Sequence, residues 1–375
     1  MSATLNDPTR PPIVRAPLLR VMANGAEIPG AYSAEIQNNN WYQADHFTVE
    51  FAFNTDPNFG LAWWAEQTDM LIDIQASLSA GGWVSLIQGQ IEQTSSHPAT
   101  GVITATGKDL TSRFIEARTQ ETFLNQTASQ VATTLAGRHG MTADVDATTA
   151  TVGRYYQIDH DQVTLGQFSR TTTEWDLLSY LARQEGFDLY VTGTVLHFKK
   201  AVAPNATPWV VSWTPAQGGS PVSNVIDLRL ERSLTLSKDI QVLVKSWSSK
   251  AGRSFSKKAR AVGAKSPNAQ ASSNQVGSNT QQYVFIRPNL SEDEAQKLAN
   301  SLLADLSKHE RTISWSEPGD LALTSRNMVR LDGTGTDFDQ TYFVDEITRN
   351  ISFDQGFTMH VTAKNHDSRS QVSIS

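Results

Sequence analysis

The residue types that most often carry chemistry are scattered along this 375-residue chain and form no catalytic pattern. None of the eight histidines has the i, i+4 spacing of a zinc-binding helix, and the closest pairing, His160 beside Asp161, reads better as a polar turn. The sequence has no Gly-x-Ser-x-Gly elbow, no P-loop and no Gly-x-Gly-x-x-Gly fingerprint. Nothing supplies a nucleophile with its base or two carboxylates in a fixed frame, so we expect no catalytic residues, no cofactor and no enzyme activity.

The densest acidic cluster runs from Asp332 to Asp339 and also contains Asp337. Oxygen ligands at alternating positions would suit calcium, but the cluster lacks the spacing of an EF-hand loop and its distal glutamate. Two glycines between strands favour a turn that needs positive φ angles. We therefore predict a turn and no metal site.

Charge is unevenly distributed along the chain. The net charge is −7, yet eight basic and no acidic residues lie between Ile240 and Leu290, which leaves −15 for the remainder and argues against nucleic-acid binding over the whole surface. Residues 248–282 contain almost nothing apolar, which predicts a mobile loop. This loop is either a partner-binding arm or a solvated insertion. Its candidate partner contacts are Lys250, Arg253, Lys257, Lys258 and Arg260.

The nine tryptophans raise the hypothesis that aromatic rings of this protein stack on sugars. Several of them occupy strand or helix positions where a role in the core is the simpler explanation. Trp63 and Trp64 are adjacent on a short predicted helix, so they cannot both face the same core, and one of them is a candidate subunit contact. A glycan-binding or glycan-cleaving protein is therefore kept as the alternative from another functional class.

Length and composition set outer limits on the fold. A chain this long predicts two or three domains. The absence of cysteine excludes disulfides, thiolate metal sites and a cysteine nucleophile. No apolar run approaches the ~20 residues of a membrane span, so we expect neither a membrane anchor nor a secretion signal.

Two hairpins with similar sequences lie near opposite ends of the chain. Residues 340–365 alternate between apolar and polar side chains around a turn at 354–356, and residues 85–109 do the same. At a constant offset of 256 residues, the sequence 106–109 (Thr-Gly-Lys-Asp) falls on 362–365 (Thr-Ala-Lys-Asn). Unrelated hairpins with polar ends also look alike, but we favour the interpretation that one β-module occurs twice.

The predicted fold is mainly β with an α+β insert. Short strands around a single helix predict small barrels. Capping residues at Thr127, Thr173 and Ser291 predict helices in the other segments. The predicted parts are an N-terminal arm (1–16), a first β-barrel (17–110), a mixed α/β insert domain (111–205) and a second, similar β-barrel (206–375) that contains the mobile basic loop (248–282) and a helix (291–309).

An ordered series of short motifs runs along most of the chain. In the N-terminal half they are Gly107-Lys-Asp-Leu-Thr-Ser-Arg113, Asn125-Gln-Thr-Ala-Ser-Gln-Val-Ala132, Glu174-Trp-Asp-Leu-Leu-Ser-Tyr-Leu-Ala182 and the hairpin 187–198. In the C-terminal half they are Pro288-Asn-Leu-Ser-Glu-Asp-Glu-Ala295, Pro318-Gly-Asp-Leu321, Val329-Arg-Leu-Asp-Gly333 and Tyr342-Phe-Val-Asp345. Their order resembles the late control D group of phage tail hub proteins and the related head of type VI secretion spike proteins.

The resemblance implies a structural virion protein rather than an enzyme. Such hubs are homotrimers whose two similar barrels per subunit present six units to a sixfold tail tube and three to a threefold central spike. The implied partners are further copies of the chain, the tail tube protein, the central spike protein, other baseplate proteins and, as a further candidate, the tape measure protein. DNA would be met only in transit, past an acidic inner wall.

The implied location is the tail baseplate of the virion, after synthesis in the host cytoplasm. The sequence includes neither the oligosaccharide-binding module nor the β-helix of the secretion spike, which favours a hub whose spike is a separate chain. A hub of a non-phage contractile injection or type VI secretion-like particle is the alternative.

Overall fold

The fold is given by a computed structural model of the chain. It describes residues 4–7, 17–40, 42–53, 55–78, 82–118, 122–152, 154–156, 160–164, 173–201, 207–216, 218–233, 240–248, 253–260, 281–287, 290–307 and 311–365.

The N-terminal strand group has seven strands and one short helix. They are β1 (Leu18–Ala23), β2 (Ala26–Ile28), β3 (Ala31–Asn39), β4 (His46–Ala52), a 3-10 turn (Pro57–Phe59), α1 (Leu61–Glu66), β5 (Leu71–Ser77), β6 (Val84–His97) and β7 (Val102–Asp109). Strand β4 illustrates why the sequence folds this way, because Phe47, Val49 and Phe51 alternate with polar residues and are all buried.

The insert between the two strand groups mixes helices and short strands. Its elements are α2 (Thr111–Glu116), β8 (Thr122–Leu124), α3 (Ala128–Arg138), β9 (Thr142–Val145), β10 (Arg154–Tyr156), β11 (His160–Thr164), α4 (Glu174–Glu185), β12 (Phe187–Thr192) and β13 (Val195–Lys200). As predicted, Thr127 caps α3, Thr173 begins α4 with a capping box, and Gly186 ends α4 at a φ of 70°. The cap of α3 is also a capping box, formed with Gln130. Pairing with the neighbouring strand β10 makes His160 and Asp161 part of β11, so the prediction of a polar turn at these two residues is wrong.

The C-terminal strand group carries a small sheet and the longest helix. Its elements are β14 (Trp209–Thr214), β15 (Val222–Ser223), β16 (Ile226–Arg232), β17 (Ile240–Ser248), β18 (Arg253–Arg260), β19 (Gln281–Ile286), α5 (Glu292–Ser307), β20 (Arg311–Pro318), β21 (Met328–Asp332), β22 (Thr341–Ser352) and β23 (Gly356–Asn365). Helix α5 begins at the predicted capping box, in which Ser291 and Glu294 exchange hydrogen bonds. Residues 308–309 of the predicted helix lie outside the described residues.

The two strand groups share one 14-stranded sheet. The N-terminal group is ordered β3-β4-β7-β6-β5-β1, and the C-terminal group is ordered β16-β20-β23-β22-β21-β14. Strand β22 joins them because its residues 346–352 also pair antiparallel with residues 33–39 of β3. The mainly-β class is confirmed, but the prediction of two separate closed barrels is wrong, since the shared strand continues one sheet into the other.

Buried apolar clusters lie against each part of the fold. The N-terminal group encloses one around Phe51 and Ile74, and the C-terminal group encloses one around Trp315 and Tyr342. A third cluster fills the insert, and a fourth lies between α5 and the sheet of β17, β18 and β19. No helix in the described part of the chain is long and apolar enough to cross a membrane.

The predicted mobile loop at 248–282 is in part a strand. Residues 253–260 form β18, which pairs along β17 from Ser248↔Arg253 to Gln241↔Arg260. The composition concealed this strand because only Phe255 and Ala259 pack towards α5, while most of its other side chains are polar. Residues 249–252 and 261–280 lie outside the described part of the chain.

Candidate assembly interface

The junction between the two strand groups is built around the buried Arg349 on β22. Its guanidinium donates to Asn38 Oδ1 at 2.8 Å, to the Asp320 carbonyl at 3.2 Å and to the Leu323 carbonyl. Burial lowers the pKa of Arg349 to about 10, because desolvation disfavours its charged form. The hydrogen bonds satisfy the guanidinium where water is excluded, so this side chain fixes β22 against β3.

A run of three asparagines at the end of β3 completes the junction. Asn38 Nδ2 donates to Asp45 Oδ2 at 2.9 Å, and the Asn39 backbone N–H donates to Asp45 Oδ1 at 2.7 Å. Asn40 Nδ2 donates to the carbonyls of Ser325 and Val344, at 2.9 and 2.7 Å. Burial raises the pKa of Asp45, and the bonds from Asn38 and Asn39 oppose that rise.

Arg326 connects the junction to the insert. Its guanidinium donates to Asn40 Oδ1 and to the Asn39 carbonyl, the latter at 3.2 Å, and it stacks 4.0 Å over the ring of Tyr190 on β12. Burial lowers the pKa of Arg326. One side chain thus contacts both strand groups and the insert.

Tyr42 makes a second connection to the insert. Its φ of 69° lies in the left-handed region, an uncommon conformation for a bulky residue. The Tyr42 hydroxyl donates to the Phe187 carbonyl at 2.8 Å, and Trp175 Nε1 donates to the Tyr42 carbonyl at 2.8 Å. The contacts on both sides hold this residue in its strained geometry.

The two long hairpins carry the same local device. In β22 a bulge follows Val344, and Asp345 Oδ1 lies 2.8 Å from Lys364 Nζ on β23. In β6 a bulge follows Ile91, and Glu92 Oε1 lies 2.9 Å from Lys108 Nζ on β7. Each hairpin therefore bends at a bulge whose acidic residue pairs with a lysine of the neighbouring strand.

Beyond their bulges the two hairpins differ in what lies beside them. Residues 346–352 of β22 pair with β3, whereas β5 pairs with β6 only over residues 84–90. Residues 93–97 of β6 are exposed and, among the described residues, pair only with β7. Strand β16 likewise pairs only with β20 in the described chain, and its Ile226 and Leu230 are exposed. Because no second strand lies beside either edge in the described part of the chain, both edges are candidates for pairing with another chain.

The tryptophans singled out from the sequence occupy different environments. Trp64 is buried and its ring centroid lies 4.8 Å from that of Phe51, so it belongs to the core. Trp63 is half-buried and packs edge-on against Phe59 and Trp64, at 4.8 and 5.0 Å. Of the two, Trp63 keeps surface for a partner, and its role as a subunit contact stays a prediction.

The basic candidate contacts do not form one cluster. Arg253 and Lys257 reach Glu292 at the start of α5, at 3.0 and 2.8 Å, whereas Lys258 is exposed on the opposite face of β18. Arg260 ends β18, and its side chain is outside the described part. Lys250 also lies outside the described residues. A lysine-rich edge strand is a common guard against unwanted strand pairing.

The acidic segment at 332–339 folds as the predicted turn. Gly333 and Gly335 have φ angles of 99° and 68°, and Asp339 accepts hydrogen bonds from the backbone N–H groups of Thr334 and Gly335 at 3.0 and 2.8 Å. Asp332 pairs with Arg330 at 2.8 Å. These carboxylates are thus used by the turn and by a neighbouring cation.

No family model and no curated protein matches this sequence. Solved structures do match its fold. A tail protein from Neisseria meningitidis MC58 superposes with a TM-score of 0.65 at 13% identity, covering 95% of this chain and 98% of the other. The tail protein of prophage MuSo2 from Shewanella oneidensis gives a TM-score of 0.64 at 13% identity, with coverages of 96% and 100%.

A third match comes from a secretion system. An E. coli protein, described as a component of the type VI secretion system that is structurally similar to the T4 bacteriophage tail proteins gp27 and gp5, gives a TM-score of 0.54 at 11% identity. The match covers 95% of this chain and 79% of that one. At such low identities the likeness concerns the fold. This chain has the fold of phage tail proteins and of the type VI secretion proteins that resemble them, as its ordered motifs predicted.

Proposed function

We propose that this chain is a structural hub of a phage tail baseplate, a homotrimeric adaptor that joins a sixfold tail tube to a threefold central spike. The proposal rests on one observation. The same strand order occurs in both strand groups, β22 and β3 join the groups inside the chain, and the corresponding strands β6 and β16 have no strand beside their outer edges in the described chain. We assign the parts as an arm (1–16), a first tube-like domain (17–110), an insert (111–205) and a second tube-like domain (206–375).

The strand pairing supports one β-module used twice. The ladder of β4 on β7 and the ladder of β20 on β23 each run for seven residue pairs, starting at His46↔Lys108 and Thr312↔Lys364. The same lysines pair with the acidic residue of each bulge, Glu92 or Asp345. Unrelated hairpins have no reason to share a bulge, its ion pair and the register of a neighbouring ladder.

Corresponding surfaces support a ring. Inside the chain, β22 of the second module receives β3 of the first. The corresponding strands are β6 of the first module and β16 of the second, whose free edges face away from their own groups in the described chain. A head-to-tail contact of β16 with β6 of the next copy repeats the internal junction, and such contacts close into a ring when the rotation allows. Three chains then supply six similar modules.

The internal junction also supplies the register of the proposed contact. Arg349 pairs with Ile36 of β3. Arg349 lies four residues after the bulge residue Asp345, and Ser96 of β6 lies four residues after the bulge residue Glu92, so Ser96 is the counterpart of Arg349. Leu230 of β16 pairs with Ile313 of β20 in the same way as Ile36 of β3 pairs with Phe47 of β4. Leu230 is therefore the counterpart of Ile36. We therefore expect Ser96 of one copy opposite Leu230 of the next.

Disulfide trapping tests the contact, since the chain has no cysteine of its own. Facing residues of antiparallel strands have Cα atoms about 4.5–5.5 Å apart, within the range that a disulfide spans. The variant with Ser96→Cys and Leu230→Cys is expected to give a covalent trimer on mild oxidation, with three times the chain mass by light scattering.

The matched control combines Ser95→Cys with Leu230→Cys. Ser95 is equally exposed, but its side chain points to the other face of β6, so we expect much less cross-linking. A chain that stays monomeric with and without its spike protein contradicts the trimer. Equal cross-linking of both pairs contradicts the register and leaves the trimer to be judged by mass.

A hub of a non-phage contractile injection or type VI secretion-like particle is the second candidate. It is favoured by the fold shared with the E. coli secretion component. Gene neighbours separate the two candidates, because capsid and terminase genes accompany a phage hub and toxin genes accompany an injection particle. In either setting the expected partners are the tube protein, the spike protein and other baseplate proteins.

A further inference from the structure

Helix α5 covers one face of the small sheet in the C-terminal half, whereas the opposite face carries several exposed side chains. The strands of the sheet are ordered β18-β17-β19, and α5 covers the face that carries Val242, Val244 and Ala259. Because side chains alternate along a strand, the residues between these lie on the opposite face. We call this opposite side the outer face. Its described side chains are the buried Leu243 and the more exposed Gln241, Lys245, Trp247, Ser254, Ser256, Lys258, Gln282, Val284 and Ile286.

Large apolar side chains of the outer face are exposed. Trp247 is 53% exposed, Val284 49% and Ile286 71%. The register makes them neighbours of one another, since Ile286 lies beside Lys245 and Val284 lies beside Leu243 of the central strand. An aromatic residue grouped with aliphatic residues on an open surface is typical of an interaction site.

The outer face is also positively charged. Lys245 and Lys258 are exposed on it, and its described side chains include no carboxylate. Glu292 forms ion pairs with Arg253 and Lys257 on the other side of the sheet, so its negative charge lies on the covered face. The outer face therefore combines apolar surface with two cationic groups.

We propose that the outer face docks a protein segment that carries both acidic and apolar side chains and belongs to a different chain. Carboxylates complement Lys245 and Lys258, and apolar side chains would cover Trp247 and Ile286. Of the exposed apolar side chains only Trp247 offers a ring on which a base could stack, whereas Val284 and Ile286 offer neither a stacking surface nor a hydrogen bond to a nucleic acid, which favours a protein. The inference does not depend on the proposed trimer, because that contact uses β6 and β16.

A binding measurement with a defined probe tests the proposal. The probe is a short fluorescein-labelled peptide in which glutamate and leucine alternate, and its binding to the full chain is followed by fluorescence anisotropy. We expect saturable binding that weakens as salt is raised. Peptides that alternate lysine with leucine, or glutamate with serine, are expected to bind at least about tenfold more weakly, since each lacks one of the two required features.

Variants locate the binding. Lys245→Glu together with Lys258→Glu, and separately Trp247→Ser together with Ile286→Ser, are each expected to weaken the glutamate–leucine peptide by about tenfold or more. Lys297→Glu is the control for Lys245→Glu alone, because this exposed lysine lies on α5 and the two single substitutions change the charge equally. Circular dichroism checks that each variant is folded, and the exposed Lys245→Glu change alone serves if the double variants unfold.

Three results would overturn the proposal. The first is peptide binding that neither pair of substitutions weakens. The second is duplex DNA that competes as well as the acidic peptide, which would make the face a polyanion site. The third is a fall in the mass of the assembly with the Lys245→Glu and Lys258→Glu variant, which would mean that another copy of this chain covers the face. A change in mass caused only by substitutions in β6 or β16 bears on the trimer instead.

Discussion

Arg349 Nη1 donates a 2.8 Å hydrogen bond to Asn38 Oδ1, which joins two strands whose residues are 311 positions apart in the sequence. The same guanidinium also donates to the carbonyls of Asp320 and Leu323. A single buried side chain therefore adds hydrogen bonds across the pairing of the two strand groups.

Replacing Arg349 with methionine should destabilise the protein strongly. The change removes the hydrogen bonds that Arg349 donates to Asn38 Oδ1 and to the carbonyls of Asp320 and Leu323, at roughly 1–3 kcal/mol for each buried group. We expect the free energy of unfolding in urea to fall by at least about 3 kcal/mol. Arg287→Met at an exposed position is the control and should change it by less than about 0.5 kcal/mol. Equal effects of the two substitutions would show that the junction does not depend on Arg349.

Glu317 should make stability fall as the pH rises towards neutrality. Its carboxylate is buried and accepts a 2.7 Å hydrogen bond from Trp315 Nε1, yet burial raises its pKa from 4.5 to about 7. Between these values the folded chain holds a proton that the unfolded chain has lost. The free energy of unfolding therefore falls through this window, by roughly 1–3 kcal/mol, and is level above it.

Glu317→Gln isolates this effect, because glutamine keeps an acceptor for Trp315 and does not ionise. The variant and the wild type should have similar stability near pH 4, and the variant should be the more stable at pH 8. Denaturation in urea across this range measures both curves. Parallel curves would mean that Glu317 does not titrate between them.

Gly107 should not tolerate a methyl group. A Cβ there would overlap the Gln90 carbonyl and the ring of Phe47. In the C-terminal strand group the corresponding residues are Ala363 and Ile313, so a smaller partner goes with a larger residue at the glycine position. We expect Gly107→Ala to cost at least about 2 kcal/mol of unfolding free energy.

The double variant with Gly107→Ala and Phe47→Ile tests the cause of that loss. Removing the ring relieves one of the two overlaps, so part of the stability should return and the two changes should not be additive. Additive losses would show that the backbone contact with Gln90 alone makes the position intolerant.

Trp64 and Trp63 should respond differently to alanine. Trp64 packs on Phe51 in the core, so Trp64→Ala should cost about 3–5 kcal/mol of unfolding free energy. Trp63 is half-buried and should cost less, about 1–2 kcal/mol. If Trp63 is a subunit contact, Trp63→Ala also lowers the mass found by light scattering at a given concentration. Loss of binding on a glycan array with unchanged mass would instead favour a glycan-binding protein.

Local signals in the sequence predicted several elements accurately. The capping boxes at Thr127, Thr173 and Ser291 place the starts of three helices, because a cap depends on residues only three positions apart. The similarity of residues 106–109 to 362–365 also marks strands with equivalent pairing, and in both segments the lysine meets the acidic residue of a bulge.

The pairing of strands that lie far apart in the chain could not be predicted from the sequence. The bulges stand three positions away from the register that the offset of 256 predicts, because the arms of the two hairpins differ in length between the bulge and the turn. The side chains also differ at corresponding positions, such as Phe47 and Ile313, so the similarity of the two strand groups is less evident in the sequence. Two signals for the junction were present but not used. They are the three asparagines that end β3 and an arginine at 349 in the inward series of β22, between Ile347 and Ile351.

The shared strand removes any hinge between the two halves. Strand β22 passes the bulge at Asp345 and continues as the partner of β3, so no linker intervenes where one half meets the other. The angle between the halves is consequently set by the curvature of one continuous ribbon of hydrogen-bonded backbone. A residue added or removed at that bend would alter this angle, and with it the number of copies that could complete a circle.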